Sequence, residues 1–286
     1  MDPEILGHYE RGVELERLSG GSSRIEFART KELLERHLPQ PPARVLDVGG
    51  GPGAYATWLA ERGYEVTLVD PVPMHVSQAT ARAARSARPF TTGLGDARDL
   101  EQADGTFDVV LLFGPLYHLP DRAERMRALS EATRVVRPGG IVAVAAISRF
   151  ASILDGMVNG YLSDPRFSDI VDEDLREGIH RNPTANIEYF TTAYFHHPDE
   201  LTAELVDAGL VVDALYGIEG PGWLRSELWE EAGGREAILR VARGRERADD
   251  DRGQRAPPGG WASARLTNEV SPSGCPCSDP GRGATR

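Results

Sequence analysis

Residues 44–70 read RVLDVGGGPGAYATWLAERGYEVTLVD: an apolar β-branched run, a knot of glycines, a helical pattern and a second apolar run that ends in Asp70. Two strands joined through a helix pair in parallel, whereas a tight hairpin joins only antiparallel strands. This one segment therefore commits the chain to a sheet covered on both faces, with a glycine turn at its carboxyl edge. The following pattern agrees. PFTTG, FDVVLLF and IVAVAAI add three strand candidates, and helical spacing fills residues 54–62, 76–86 and 121–136, the last stopping at RPGG. Strands alternating with helices predict an α/β, doubly wound, mostly parallel sheet.

The flanks differ from this core, which is assigned residues 41–148. Residues 1–40 form a predicted helical preface in which Leu15, Leu18, Ile25, Phe27, Leu33, Leu34 and Leu38 recur at three- and four-residue steps. Residues 149–195 interrupt the alternation with a mostly helical stretch holding Phe150, Tyr161, Phe167, Tyr189 and Phe190, long enough to form a lid. Residues 196–246 resume the core: a helix begun by His197-Pro198-Asp199, the strand VVDALYGI and a helix over 223–243. From Arg247 onward five of 40 residues are Pro and six are Gly, a share expected of disorder.

Composition bounds the partners. With 286 residues, 40% of them hydrophobic, the chain can bury one sizeable core. A formal charge of −12 opposes the phosphate attraction on which nucleic-acid binding relies, so no nucleic-acid partner is expected. The two cysteines, Cys275 and Cys277, make no disulfide framework, which fits a reducing cytoplasm. As Cys275-Pro-Cys277 they offer two ligands at most, too few for a metal site. No apolar run approaches the roughly 20 residues of a membrane span, so a soluble, cytoplasmic protein is expected.

The glycine turn admits two readings. Gly49, Gly51 and Ala54 fit the dinucleotide pattern G-x-G-x-x-G/A, with Asp70 near the offset of a ribose-binding acid. Alternatively, LDVGGGPG places Asp47 two residues before Gly49, Gly51 and Gly53. A carboxylate beside the turn would repel a pyrophosphate and attract an ammonium. With GLGDARDL, TFDVVLLFGPLYHL and ATRVVRPGGIVAVAAI following in order, residues 44–148 resemble the class I S-adenosylmethionine-dependent methyltransferases, Rossmann-like and of small-molecule type. The resemblance implies a seven-stranded sheet and S-adenosylmethionine as cofactor. By it, Asp47 and the backbone of Gly49, Gly51 and Gly53 hold the methionine part, and Asp70 takes the ribose hydroxyls. Asp96 and Ala97 bind the adenine, while Phe113 and Gly114 flank the sulfonium. Tyr9, Arg24 or Arg29 is suspected of reaching the cofactor carboxylate from the preface.

Methyl transfer is an in-line displacement that needs alignment and, for a hydroxyl or ammonium acceptor, a base. His118, leaving strand four in GPLYHL beside Tyr117, is the first candidate for base or positioner. His180, in the lid, and His196 and His197, at a helix start, are assigned capping or surface roles. FGPL stands where relatives that modify adenine or glutamine carry an NPPY-like tetrapeptide, so the expected acceptor is a small molecule with an O- or N-nucleophile. The lid aromatics suggest a partly apolar one. Two rivals stay open: a nicotinamide-dependent oxidoreductase, and a module that binds the cofactor without turnover.

The same resemblance implies a last antiparallel strand between strands five and six. Only WASARLTNEV, residues 261–270, is available for it. Either that stretch serves, or the segment after Arg245 is foreign to the fold, as a shifted reading frame would make it; its composition favours the second.

Overall fold

The computed structural model describes residues 23–184, 186–246 and 261–267. Helix α1 (Ser23–His37) precedes strand β1 (Arg44–Val48), and the alternation predicted from residue 44 onward follows: α2 (Ala54–Glu61), β2 (Glu65–Asp70), α3 (Pro73–Arg85), β3 (Thr91–Leu94), β4 (Phe107–Leu112), α4 (Arg122–Val135) and β5 (Val136–Ser148). The chain continues through α5 (Ala151–Asn159), α6 (Pro165–Glu177), β6 (Ile179–His180), β7 (Ala193–His196), α7 (Pro198–Asp207), β8 (Val211–Gly217), α8 (Gly234–Glu246) and β9 (Trp261–Thr267). The helix expected over 223–243 is in fact two elements, a 3₁₀ segment Gly220–Glu230, kinked at Arg225, and α8.

Seven strands run in the order β3-β2-β1-β4-β5-β9-β8, all parallel except β9, and β7 and β6 branch from β5 to bring the sheet to nine strands among the described residues. Side chains alternate across each strand. Leu46 and Val48 of β1 join Val110 and Leu112 of β4 in the layer under α4 and α7. Val45 of β1 joins Val109 and Leu111 in the opposite layer, under α1, α2 and α3. By the same alternation Asp47 points with Val45 into that second apolar layer, which is why a carboxylate here is almost wholly buried.

The tail corrects the reading from composition. Residues 261–267 are not foreign to the fold but form β9, which pairs antiparallel with β5 from Ile141↔Thr267 to Ile147↔Trp261 and with β8 from Val211↔Thr267 to Gly217↔Ala262. WASARLT carries enough small and apolar residues to lie between two strands, and the pairing satisfies backbone groups that β5 and β8 would otherwise leave open. Cys275 and Cys277 lie outside the described residues, as does Tyr9.

Residues 149–195 carry a small core of their own. Phe167, Ile170, Val171 and Tyr189 form their own small core, with Tyr161 against it. Strand β7 pairs parallel with the far end of β5 at Ile147 and Ser148, on the side where β4 has already ended at Leu112↔Val144. None of the three histidines given capping or surface roles is exposed. His180 is buried, with Nδ1 2.8 Å from Asp174 Oδ2 and Nε2 2.7 Å from the Tyr189 carbonyl. His196 is buried against Glu204, which Arg125 also grips. His197 does start α7, its amide donating to Glu200 at 3.0 Å.

Candidate active site

The carboxyl ends of β1, β2, β3 and β4 open into one cavity of about 680 Å³. Asp47, Gly49, Gly51, Asp70, Asp96, Ala97, Phe113, Gly114, Tyr117 and His118 all line it. Gly53 does not. It precedes α2 with φ +85°, and a Cβ there would meet Phe90, Ala79 and Leu68 at 3.2–3.5 Å. There it lets the chain turn left-handed into the helix against the core.

Asp47 is 1% exposed, and neither carboxylate oxygen has a hydrogen-bond partner. The close approach of Gly50 shuts it in: a Cβ at that position would lie 2.7 Å from Asp47 Oδ2 and 2.6 Å from Leu68 Cδ1. Burial first, and then the nearby Asp70 carboxylate, push the Asp47 acid up to about 7, opposed by the field of the Ala56 amide. An unpaired buried acid is costly to a fold, and its place on the cavity wall marks it as kept for a ligand.

Asp70 is different in kind. It is also buried but has partners at both oxygens: Oδ2 accepts from the Gly51 amide at 2.9 Å, and Oδ1 accepts from the Val72 amide at 2.9 Å and faces His75 Nδ1 at 3.1 Å. A carboxylate has about four lone-pair sites, so Asp70 both ties the glycine turn to β2 and keeps about one site for a ligand hydroxyl. Asp70→Ala is therefore expected to lower stability by about 2–4 kcal/mol, seen as an earlier urea midpoint, besides weakening any nucleoside ligand.

Asp96 does not start a helix. It lies in a turn whose carboxylate takes three contacts from Arg98: the amide at 2.9 Å, Nε at 2.9 Å and Nη2 at 2.6 Å. Those hydrogen bonds hold the acid below the usual carboxylate range. Arg98 reaches on to Glu124 at 2.6 Å, so the pair is fixed at the cavity edge as an acceptor of set orientation.

An aromatic wall closes the other side. Phe27 of α1 meets Tyr55 edge-on at 5.1 Å, and Tyr55 meets Phe113 at 5.2 Å. Tyr117 donates its hydroxyl to the Phe113 carbonyl at 2.9 Å, and its ring packs with Ile147, Ala193 and Phe195. The His118 ring lies edge-on to it at 4.6 Å. No described residue of 149–195 lines the cavity.

The preface enters the site differently from the expectation. Arg24 pairs with Glu230 and Arg29 is wholly buried beside Glu32; neither lines the cavity. Phe27 and Lys31 do, one helical turn apart on α1. His75 and Arg82 of α3 were also missed. Only the i, i+4 spacing of Phe27 and Lys31 hinted at a shared face.

Residues 45–140 match the family described as a methyltransferase domain. Over those residues the chain is similar to a methyltransferase domain. An uncharacterized methyltransferase of Mycobacterium bovis is 39% identical over 110 residues, covering 38% of this chain and 42% of that protein. A ubiquinone biosynthesis O-methyltransferase of Methylocella silvestris is 33% identical over 117 residues, 40% of this chain and 44% of the relative. The chain thus spans less than half the length of these curated relatives. The fold likeness reaches further: a protein of Pyrococcus horikoshii superposes with a TM-score of 0.60 at 16% identity, covering 92% of this chain and 98% of its own. A SAM-dependent methyltransferase of Methanosarcina mazei gives 0.56 at 19% identity, covering 82% and 95%. The methyltransferase domain holds all the strand ends that build the cavity. Among the described residues no helix is long and apolar enough to cross a membrane, and no cluster has the makings of a metal site.

Proposed function

We propose that the protein transfers a methyl group from S-adenosylmethionine to an oxygen or nitrogen of a small-molecule acceptor. The observation that carries this reading is Asp47: a buried carboxylate without a partner, on the wall of a cavity whose next acid, Asp70, retains room for a hydroxyl. An amino acid ammonium meets the first need and a ribose the second. A pyrophosphate would bring negative charge to the same wall, which speaks against the nicotinamide alternative.

When bound, the cofactor supplies a methyl group already activated by a positive sulfur. The chain's own residues bind, orient and exclude water. Asp47 holds the ammonium, Asp70 orients the ribose, and Asp96, locked by Arg98, accepts from the adenine amino group beside Ala97. Phe113 and Gly114 bound the space around the reacting carbon, and the Tyr117 hydroxyl fixes the Phe113 carbonyl there. Since that hydroxyl is committed to a carbonyl, Tyr117 acts as a positioning residue, and His118 is the base for an acceptor proton.

Transfer of labelled methyl to a panel of small hydroxyl and amine acceptors tests the proposal. His118→Gln is expected to lower turnover on any acceptor found by about 10²-fold while leaving S-adenosylhomocysteine affinity within about twofold. Unchanged turnover removes His118 from the mechanism. Binding without transfer to any acceptor makes the protein a cofactor-binding module.

A further inference from the structure

The segment that leaves β4, FGPLYHLPDRAER over residues 113–125, brings Tyr117 and His118 to the cavity before α4 begins at Arg122. Its 3₁₀ turn, Pro115–His118, is closed by a long 3.5 Å contact from the Leu119 amide to the Leu116 carbonyl, so the turn's own backbone bonding holds it weakly. The front of the loop is held by the Tyr117 hydroxyl on the Phe113 carbonyl. The back is held by Arg125. That side chain is buried, and its Nη1 donates to the Leu119 carbonyl at 2.9 Å and to the Pro120 carbonyl at 2.8 Å. The rest of the guanidinium faces α7: Nε donates to Glu204 Oε2 at 3.0 Å and Nη2 to Glu204 Oε1 at 2.7 Å. Tyr194 of β7 lies against the same guanidinium at 3.6 Å, and His196 Nε2 stands 3.3 Å from Glu204 Oε2.

We infer that Arg125 is a positioning residue: paired with Glu204, it fixes the two carbonyls that follow His118 and so sets where the His118 ring stands in the cavity. This rests on the proposed function for what His118 does there, but the grip on the loop does not. Two successive carbonyls held by one nitrogen need two protons at a fixed angle while further donors stay on the carboxylate. A planar guanidinium supplies that set and an ammonium does not. Glu204 makes the cation tolerable in the interior. Burial works against its carboxylate, but hydrogen bonds from His196 and Arg125 hold the acid below the usual range, so the pair stays ionised. Neither Arg125 nor Glu204 lines the cavity, so both act through the backbone of the loop and not on a ligand.

The chain has seven histidines, few enough to follow one by one by NMR with carbon-labelled rings. The His118 signal, assigned by its loss in His118→Gln, is expected away from the free-histidine position, because the Tyr117 ring lies edge-on 4.6 Å away. Arg125→Lys keeps a charge beside Glu204 and gives up the fork. In that full-length variant the His118 signal is expected to move towards the free position while those of His37 and His180 stay. Its S-adenosylhomocysteine affinity is expected to stay within about twofold. Turnover on an acceptor from the labelled-methyl panel is expected to fall about tenfold at unchanged KM for S-adenosylmethionine, less than the loss in His118→Gln, and to fall no further when the two are combined. An arginine that served the fold alone would lower turnover equally in both backgrounds. If Arg125→Lys does not fold, Arg125→Met with Glu204→Met, which leaves neither charge of the pair buried alone, takes its place in the same measurements. A His118 signal that stays put in a folded variant, or a combined variant that suffers both losses in full, overturns the inference. Where no acceptor is found, the His118 signal decides alone. If that signal moves as expected but His118→Gln keeps full turnover, Arg125 still sets the loop, and the base assigned to His118 is what falls.

Discussion

Asp47→Asn is expected to make the unliganded protein more stable and to destroy its binding of S-adenosylhomocysteine. The two effects share one cause. In the free protein the acid is buried, unpartnered and raised from 3.8 to about 7, so at neutral pH and above the fold carries a carboxylate that it disfavours. The sign follows from linkage. The folded state binds the proton more tightly than the unfolded one, so this group's contribution is best below about pH 4 and is lost as pH rises to about 7. About three pH units at 1.36 kcal/mol each sum to about 4 kcal/mol. The amide removes the charge but still buries an unpaired polar group, so the net gain at pH 8 is about 1–3 kcal/mol, shrinking towards pH 4. Thermal melts of both proteins at the two pH values check this. For the ligand, the variant deletes one side of a buried charge pair, which costs about 3–5 kcal/mol, or at least about 10²-fold in Kd. In the unaltered protein affinity falls about tenfold per unit below about pH 7, because the ammonium must displace a proton. A site that weakens the fold in order to receive a ligand is where function and stability part.

The second large effect is at the other end of the chain. A protein ending at residue 246 is expected not to fold. β8 pairs with no strand but β9 among the described residues, and β5 pairs with β9 over seven positions. Losing β9 gives up on the order of ten backbone hydrogen bonds at about 1 kcal/mol each, as much as a whole domain's stability of about 5–15 kcal/mol. It also exposes the apolar edge of β5. The expected signs are lost near-UV dichroism and no cooperative urea transition. Ala264→Pro, which interrupts the ladder between Val144 and Leu215, is a milder probe and is expected to cost about 3 kcal/mol or more. A truncated chain that still unfolds cooperatively contradicts the register of β9.

These two positions also mark what the sequence made legible. Asp47 could be found because its place is fixed by local chemistry: a strand of alternating faces running into a glycine turn, with charge complementarity to choose between ligands. β1, β2, β4 and β5 were readable for the same reason, each an apolar run followed by a helical pattern. β9 was not, because WASARLT is set among glycines, prolines and charges and gains its meaning only from two strands far off in sequence. Lys31 and His75 escaped likewise: nothing around them in the chain says that α1 and α3 converge on the end of β1. Gly53 shares the spacing of Gly49 and Gly51, but a Cβ there would meet Phe90, a tertiary contact that the spacing does not show. The lid aromatics were legible as a cluster, and their packing on one another rather than on the cavity is a tertiary fact.

The most direct test of the central claim is a calorimetric titration of the full chain at pH 8 with S-adenosylmethionine, S-adenosylhomocysteine and NAD in turn. The account predicts one-to-one binding of the two adenosyl amino acids, lost with Asp47→Asn, and no heat from NAD. Binding of NAD with none of the adenosyl ligands would contradict the role given to Asp47 and the function built on it.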